Sequence, residues 1–394
     1  MTEAGRIPND LPALFLNSAT YACYYIEAYA QRTIIIMIPT TWKFYTRSAD
    51  AWEAMYADCD AARSSIDIEQ FIFADGEIGR RFFELLKRKS AAGVKIRIMC
   101  DAVGSAGLVD SKPAAALVAH GIAITFFNRI NPWRVGNISS WFLRDHRKIL
   151  IIDNEIAHTG GVGIEDRMKE WRDTNVRMTG QVVSEMQADF DRIWRTPSRY
   201  KFSQYKPLFK VDQDFSFLIN SPQFRGRYIC HDLRRTIRKA KKYIYLTTPY
   251  FVPSILIFTA LARAAERGVD VRILLPESSD VRTADIAAGS YILLALTAGI
   301  KIYHYDPARV LHAKTGVIDD TWATVGSANI DNLSLLLNFE GNIRGVSPGF
   351  IAELKQQFMD DISSSKLITK EAWVKRPILL KLLEAITWPI HSIL

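Results

Sequence analysis

A histidine, a lysine two residues on and an aspartate five residues further recur twice in this chain, as His146-x-Lys148-x4-Asp153 and His312-x-Lys314-x4-Asp319. On a strand, positions i and i+2 share a face, so each histidine projects beside its lysine. An imidazole next to an ammonium is a natural phosphate site: lysine supplies the charge, and histidine is a nucleophile or proton donor near neutral pH. Two such pairs around one pocket could exchange a phosphodiester. One histidine attacks phosphorus and forms a phosphohistidine. The other protonates the leaving alcohol and deprotonates the incoming one, while lysines and amide donors hold the non-bridging oxygens. This chemistry calls for no metal and no cofactor, and the seven histidines are too dispersed for an obvious zinc site. The spacing arises by chance about 0.02 times in such a chain, so two copies outweigh the reading of each histidine as a satisfied core residue.

The flanking residues extend the set. After the second motif come Gly326-Ser-Ala-Asn-Ile-Asp331 and Asn338-Phe-Glu340. Asn329 can donate to a phosphate oxygen. Small residues at Ser327 and its counterpart Gly161 let backbone approach a ligand. Asp173 lies 27 positions after His146, and Glu340 lies 28 after His312. A carboxylate on the distal ring nitrogen would fix the tautomer and stabilise the imidazolium. An isolated acid is more often a solvated charge; its recurrence in both halves favours the orienting role.

The elements that must position these residues repeat as well. His146, Lys148, Asp153 and Gly160 map onto His312, Lys314, Asp319 and Gly326 at a constant offset of 166, and Gly93-Val-Lys-Ile-Arg-Ile echoes Gly268-Val-Asp-Val-Arg-Ile. The period is too long for a solenoid and indicates a duplicated domain. In each copy, apolar strand runs alternate with helical stretches of about a dozen residues, which predicts an α/β fold. The motif supplies a strand, Lys148–Ile152 or Lys314–Ile318. The expected organisation is an N-terminal extension (1–40), lobe 1 (41–195), a Pro-containing linker (196–207), lobe 2 (208–365) and a C-terminal tail (366–394).

The 394 residues carry 50 Lys plus Arg against 42 Asp plus Glu, a net charge of +8, with 48% apolar residues. That composition excludes a disordered acidic chain, a collagen-like repeat and a disulfide miniprotein. Four cysteines without a C-x-x-C pair read as reduced thiols. No apolar run reaches the length of a membrane span, and the positive charge favours an anionic partner.

Taken together, the paired motifs resemble the phospholipase D superfamily over about residues 40–365. Within it, Arg144-Asp-His-Arg-Lys-Ile-Leu, Trp171-Arg-Asp-Thr, Thr248-Pro-Tyr-Phe-Val-Pro253 and Gly326-Ser-Ala-Asn-Ile-Asp…Asn338-Phe-Glu340 look most like bacterial cardiolipin synthases. The resemblance implies two phospholipase D-like lobes, each a mixed β-sheet flanked by helices, with one active site at the lobe interface. It implies a catalytic set of His146, Lys148, Asp153, His312, Lys314 and Asp319, supported by Asp173 and Glu340, with Asn329, Ser327 and Gly161 binding substrate. In that family the motif aspartates are usually structural. His146 is the expected nucleophile and His312 the acid/base, although either histidine could serve chemically.

The implied activity is transfer of a phosphatidyl group, typically between two phosphatidylglycerols, without cofactor or metal. The implied partners are phospholipid and an anionic membrane surface. Nucleic acid is disfavoured as a partner, and the oligomeric state is open. The expected location is peripheral, on the cytoplasmic face of a bacterial inner membrane. The same chemistry with water as acceptor would make a hydrolase or a nuclease. Two departures stand out: Gly163 where the family commonly has Asn, and Leu333-Ser334 where it has Arg-Ser. The family's frequent N-terminal transmembrane helices are also missing, as in a short form.

Three stretches are candidates for reaching lipid. In Ile378–Trp388, residues Lys381, Glu384, Thr387 and His391 form one polar stripe on an otherwise apolar helix, a pattern that suits an interfacial helix or one docked on the protein itself. The tyrosine-rich segment Leu11–Ile26 and the loop Phe127–Trp141 are the other two, each also readable as ordinary packing or surface.

Overall fold

The computed structural model describes residues 39–129, 143–195, 212, 214–222 and 226–387. The segment Leu11–Ile26, the linker 196–207 and most of the loop Phe127–Trp141 lie outside the described residues. Pro39–Leu394 forms one compact unit.

Lobe 1 runs β1 (Thr41–Arg47), α1 (Ser48–Ala61), β2 (Ser65–Gln70), α2 (Glu77–Ala91), β3 (Lys95–Asp101), α3 (Lys112–Ala119), β4 (Ala123–Phe127), β5 (Lys148–Ile152), β6 (Ile156–Gly160), β7 (Arg172–Thr179) and α4 (Gln181–Trp194). Lobe 2 runs β8 (Phe215–Asn220), α5 (Tyr228–Lys239), β9 (Tyr243–Thr247), β10 (Phe251–Val252), α6 (Ile255–Glu266), β11 (Asp270–Pro276), α7 (Arg282–Thr297), β12 (Lys301–Tyr305), β13 (Thr315–Ile318), β14 (Trp322–Gly326), β15 (Ile330–Asp331), β16 (Glu340–Gly345), α8 (Pro348–Ser363), β17 (Lys366–Ile368), α9 (Lys370–Val374) and α10 (Ile378–Thr387).

The seven-stranded sheet has the order β1-β7-β6-β5-β2-β3-β4, and the eight-stranded sheet β8-β16-β14-β13-β9-β11-β12-β17. Position for position these are the same sheet, with β17 added at one edge. β2, β3 and β4 pair in parallel, as do β9, β11 and β12, and the remaining ladders of these two sheets are antiparallel, while β10 and β15 form a separate parallel pair. Parallel neighbours need a crossover helix, which is why α2, α3, α6 and α7 fall between them.

The motif strands run through the middle of each sheet and are covered on both faces. Leu150 and Ile152 enter the core of lobe 1, while Ile149 and Ile151 turn to a second core. Ile318 and Val317 divide in the same way in lobe 2. That second core joins β5–β7 and α4 of lobe 1 to β8, β13, β14, β16 and α8 of lobe 2. The lobes therefore share an apolar layer, and a strand buried on both faces reads as the unbroken run Ile-Leu-Ile-Ile.

The motif aspartates sit at the far end of these strands. Asp153 and Asn154, and likewise Asp319 and Asp320, have φ of 54–55°, a left-handed conformation that Asp and Asn tolerate in a turn. Asp153 accepts the amides of Arg63, Ser64 and Ser65 at 2.7–2.8 Å. Asp319 accepts those of Lys241, Lys242 and Tyr243 at 2.6–2.9 Å. Burial alone would raise the Asp153 carboxyl, but these amides outweigh it and hold it at about 2. Both aspartates thus pin the start of a neighbouring strand, and neither lines the central cavity described below. Of the catalytic set that the resemblance implies, Asp153 and Asp319 thus stand at structural positions. Asp153→Ala is expected to lower the unfolding free energy by about 2 kcal/mol, the worth of hydrogen bonds to a charged group, while turnover per folded molecule holds. Urea unfolding alongside an activity assay measures both.

Candidate active site

The motif segments approach the boundary between lobes and pair there with strands of the opposite lobe. His146 N donates to Phe339 O at 2.9 Å, and Phe339 N to Arg144 O at 2.9 Å. On the other side His312 N donates to Arg172 O at 2.8 Å, and Arg172 N to Val310 O at 2.9 Å. These are short parallel bridges, Asp145 with Phe339 and Arg172 with Leu311. They deliver the residue after each bridge to the other lobe's histidine.

The result is a crossed arrangement. His146 Nδ1 lies 3.0 and 3.1 Å from the two carboxylate oxygens of Glu340. His312 Nδ1 lies 2.7 Å from Asp173 Oδ2. Each histidine of one lobe is thus held by the acid of the other. Ionised carboxylates only accept, so Nδ1 carries the proton in both rings and Nε2 presents its lone pair. Ser327 also donates to Glu340, at 2.5 Å, and accepts the Gly341 amide.

Both lysines are buried beside their histidines. Lys148 Nζ donates to His146 O at 2.6 Å and Lys314 Nζ to His312 O at 2.5 Å, which leaves two donors on each ammonium for a ligand. The Phe71 ring touches the His146 ring edge-on at 4.8 Å and lies 5.2 Å from Lys148 Nζ. Trp171 packs on His312 at 5.1 Å. These walls desolvate the site. Burial, then the neighbouring lysine, pushes His312 down to about 4, and burial also lowers His146. Burial lowers Lys148 to about 7 and Lys314 to about 8. Burial moves all four groups towards neutrality, the desolvation pattern of a site built to take an anion.

His146 and Lys148 of lobe 1 and His312 and Asn329 of lobe 2 open on a cavity of about 570 Å³, while Lys314 lies behind His312, outside that lining. Gly161 lines it too. A Cβ at Gly161 would fall 2.1 Å from Asp173 Oδ1, so glycine here keeps the carboxylate in place. Ser327, expected to bind substrate, lies outside the cavity lining, with its hydroxyl on Glu340. Asn329 hydrogen-bonds Asp331 through its side chain, and its Oδ1 is buried with no partner among the described residues. At Gly163, the lobe 1 counterpart, Met168 fills the space, 3.2 Å from where a Cβ would stand. Leu333 and Ser334 also line the cavity.

Several residues escaped the sequence reading. Asp331 is buried in the cavity wall, and burial raises its carboxyl to about 7. Tyr250 donates to Asp280 at 2.6 Å on the His312 side of the mouth. Asp280 follows a strand in a stretch without a counterpart motif, and nothing in its spacing marks it. Beneath His146, the Arg147 guanidinium is buried among Glu69, Asp145 and Asp189. Charged Glu69 within an apolar strand was the available signal.

Among the described residues no cluster of three His, Cys, Asp or Glu side chains is arranged to hold a metal ion. The lysines make anion binding depend on pH with a definite sign: they attract an anion only while protonated, and they lose that proton as pH rises through about 7 to 8. Sulfate, which does not titrate near neutrality, is expected to bind at least about tenfold more weakly at about pH 9 than at about pH 6. Isothermal calorimetry across that range checks it, and a flat profile would contradict the lysine assignment.

Residues 55–194 and 233–362 match the family described as cardiolipin synthase, PLD-like domain. A cardiolipin synthase of Listeria welshimeri is 32% identical over 358 residues, spanning 88% of this chain and 73% of that protein. One from Staphylococcus aureus is 32% identical over 368 residues, spanning 89% and 73%. Among solved structures, phosphatidylserine synthase from Haemophilus influenzae superposes with a TM-score of 0.73 over 90% of this chain and 95% of that one, at 12% identity, a likeness of fold. Polyphosphate kinase from Porphyromonas gingivalis superposes at 0.58 over 91% of this chain and 54% of that one. With both lobes matched and the relatives aligned across both motifs, the chain belongs to the cardiolipin synthase family of phospholipase D-like enzymes.

Proposed function

We propose that the protein is a membrane-associated phosphatidyltransferase that makes cardiolipin and glycerol from two phosphatidylglycerols through a phosphohistidine. The observation that carries this reading is the pair of crossed histidine–carboxylate contacts around one cavity, each backed by a lysine. Two imidazoles with Nδ1 held and Nε2 free on opposite sides of one space suit attack and departure in line at a single phosphorus.

In the first half-reaction His146 Nε2 attacks phosphorus, a P–N bond forms, and the bond from phosphorus to the headgroup oxygen breaks. His312 Nε2–H gives its proton to that oxygen, and glycerol leaves. In the second half, the hydroxyl of another phosphatidylglycerol loses its proton to His312 as its oxygen attacks phosphorus. The P–N bond breaks and His146 is restored. Lys148 and Lys314 hold the non-bridging oxygens. Burial and Lys314 lower His312 more than Asp173 and Asp280 raise it, so in this reading it is the negative charge of a bound diester that favours its protonated form.

The choice of His312 as acid/base is supported by what surrounds it. Tyr250, Asp280 and the unpaired Oδ1 of Asn329 lie on the lobe 2 side of the cavity. They are hydrogen-bond acceptors or polar anchors that suit an alcohol headgroup. The lobe 1 wall sets Phe71, Ile72, Val103 and Met168 beside Arg144 and Arg167, whose guanidinium groups donate but do not accept. The alcohol should therefore leave from, and arrive on, the His312 side.

Purified protein on phosphatidylglycerol vesicles is expected to yield cardiolipin and glycerol in equal amounts by mass spectrometry, and His146→Ala to lower the rate by about a thousandfold or more. Phosphatidic acid as the sole product would make the protein a hydrolase. No lipid product from folded protein would reject the reading. Rapid acid-free quenching should trap a phosphatidyl adduct on His146; an adduct on His312 would reverse the roles.

A further inference from the structure

The C-terminal helix α10 is built inside out. Its polar residues Lys381 and Glu384, three apart, face the protein. The Glu384 carboxylate is buried against α7, where Gly289 leaves the room it needs: a Cβ there would stand 2.2 Å from Glu384 Oε1. Glu384 pairs with Arg376 at 2.8 Å, and the Arg376 guanidinium stacks on Trp373 at 3.4 Å. Trp373 Nε1 in turn donates to Gly289 O at 3.1 Å, and Lys381 Nζ donates to Val374 O.

The apolar residues face outward, with Ile378 75%, Leu379 66%, Leu382 57% and Ile386 71% exposed. A water-facing helix does the reverse, because burying each such side chain is worth about 1.5–3 kcal/mol. This orientation is favourable only if the outer face meets an apolar medium.

Two further features identify that medium. With Arg376 engaged by Glu384, the segment leading into the helix still carries Lys366, Lys370 and Lys375 against a single acid, Glu371, a charge balance that suits an anionic surface. The supporting helix α7 also walls the cavity, through Ala284 in its first turn. Gly289 is five residues on, about 8 Å along the axis. At the cavity mouth, Val103 from lobe 1 and Val281 from lobe 2 line the opening and are both exposed. Ile255 and Leu256 are exposed just after Val252, another lining residue.

We infer that the outward face of α10, together with the apolar rim of the cavity, lies in the interfacial layer of an anionic phospholipid bilayer, so that the catalytic mouth opens at headgroup depth. This rests on the lipid-transfer reading above, and names the surface through which the substrate is met.

The test uses the full chain carrying Leu379→Glu and Leu382→Glu. Both side chains are exposed, so the thermal midpoint should hold. Co-sedimentation with phosphatidylglycerol vesicles should fall by at least about tenfold, and turnover on those vesicles should fall with it. Turnover on short-chain phosphatidylglycerol, dispersed as monomers, should stay at the wild-type rate. Wild-type binding should be weaker on phosphatidylcholine vesicles and at high salt. Unchanged vesicle binding in the double variant overturns the inference. So does a change from dimer to monomer with binding retained, which would make a second copy the occupant. Sedimentation needs no turnover, so a protein that binds vesicles through α10 yet makes no cardiolipin would sink the functional reading and leave this surface standing.

Discussion

The contact on which the site depends is the exchange of carboxylates between lobes. Had Glu340 and Asp173 served the histidines of their own lobes, each half would be a self-contained pocket and the two could drift apart. Because His146 is held by Glu340 and His312 by Asp173, neither imidazole is oriented unless the lobes are docked. Docking error therefore appears directly as error in Nε2 placement. Effective positioning needs tolerances well under an ångström, and a shared apolar layer packed like a protein interior supplies that stiffness.

Buried charge reinforces the same boundary. Arg172, which precedes Asp173, makes a two-pronged ion pair with Asp361 of α8 at 2.8 and 2.6 Å and donates to the carbonyl of Asp173 at 2.8 Å. The lobe 1 acid is thereby clamped from lobe 2. On the opposite side Arg147 holds three carboxylates, an excess of acid that burial relieves by raising Glu69 and Asp189 towards their neutral forms. Such clusters add little net stability compared with apolar packing. Their value here is geometric, because they fix the backbone on either side of His146 and before Asp173.

The sequence made legible what lies within one repeat. The motif strands were readable from His-x-Lys followed by a run of branched residues, and the order of helices and strands from the echo of one half in the other. What required the other lobe was not readable. Spacing marked Asp173 and Glu340 as candidate partners of a histidine, but only the parallel bridges at Asp145–Phe339 and Arg172–Leu311 decide which histidine each meets. The motif aspartates look catalytic beside His and Lys in a linear pattern, yet five residues of extended chain carry Asp153 and Asp319 well away from the cavity. On α10 the periodicity revealed a polar stripe without saying which way it turns. Gly289, nearly a hundred residues earlier, is what admits Glu384 and decides it.

A duplicated site begins symmetric, and a reaction with one nucleophile and one acid/base does not need it to stay so. The departures from symmetry are concentrated around the histidines. Ser327 hydrogen-bonds Glu340, whereas its counterpart Gly161 brings only backbone to Asp173. Asn329 offers an unpaired acceptor, whereas Gly163 gives way to Met168. Tyr250 and Asp280 attend only His312. At the cavity wall itself, Asn329, Tyr250 and Asp280 add polar groups on the lobe 2 side, and Met168 takes the corresponding space on the lobe 1 side. A phospholipid is divided in the same sense at its phosphorus, with an alcohol headgroup on one side and a diacylglycerol on the other. Loss of the lobe 1 asparagine is then more than a missing phosphate donor. It removes a polar side chain from the wall against which the apolar half of the substrate would lie.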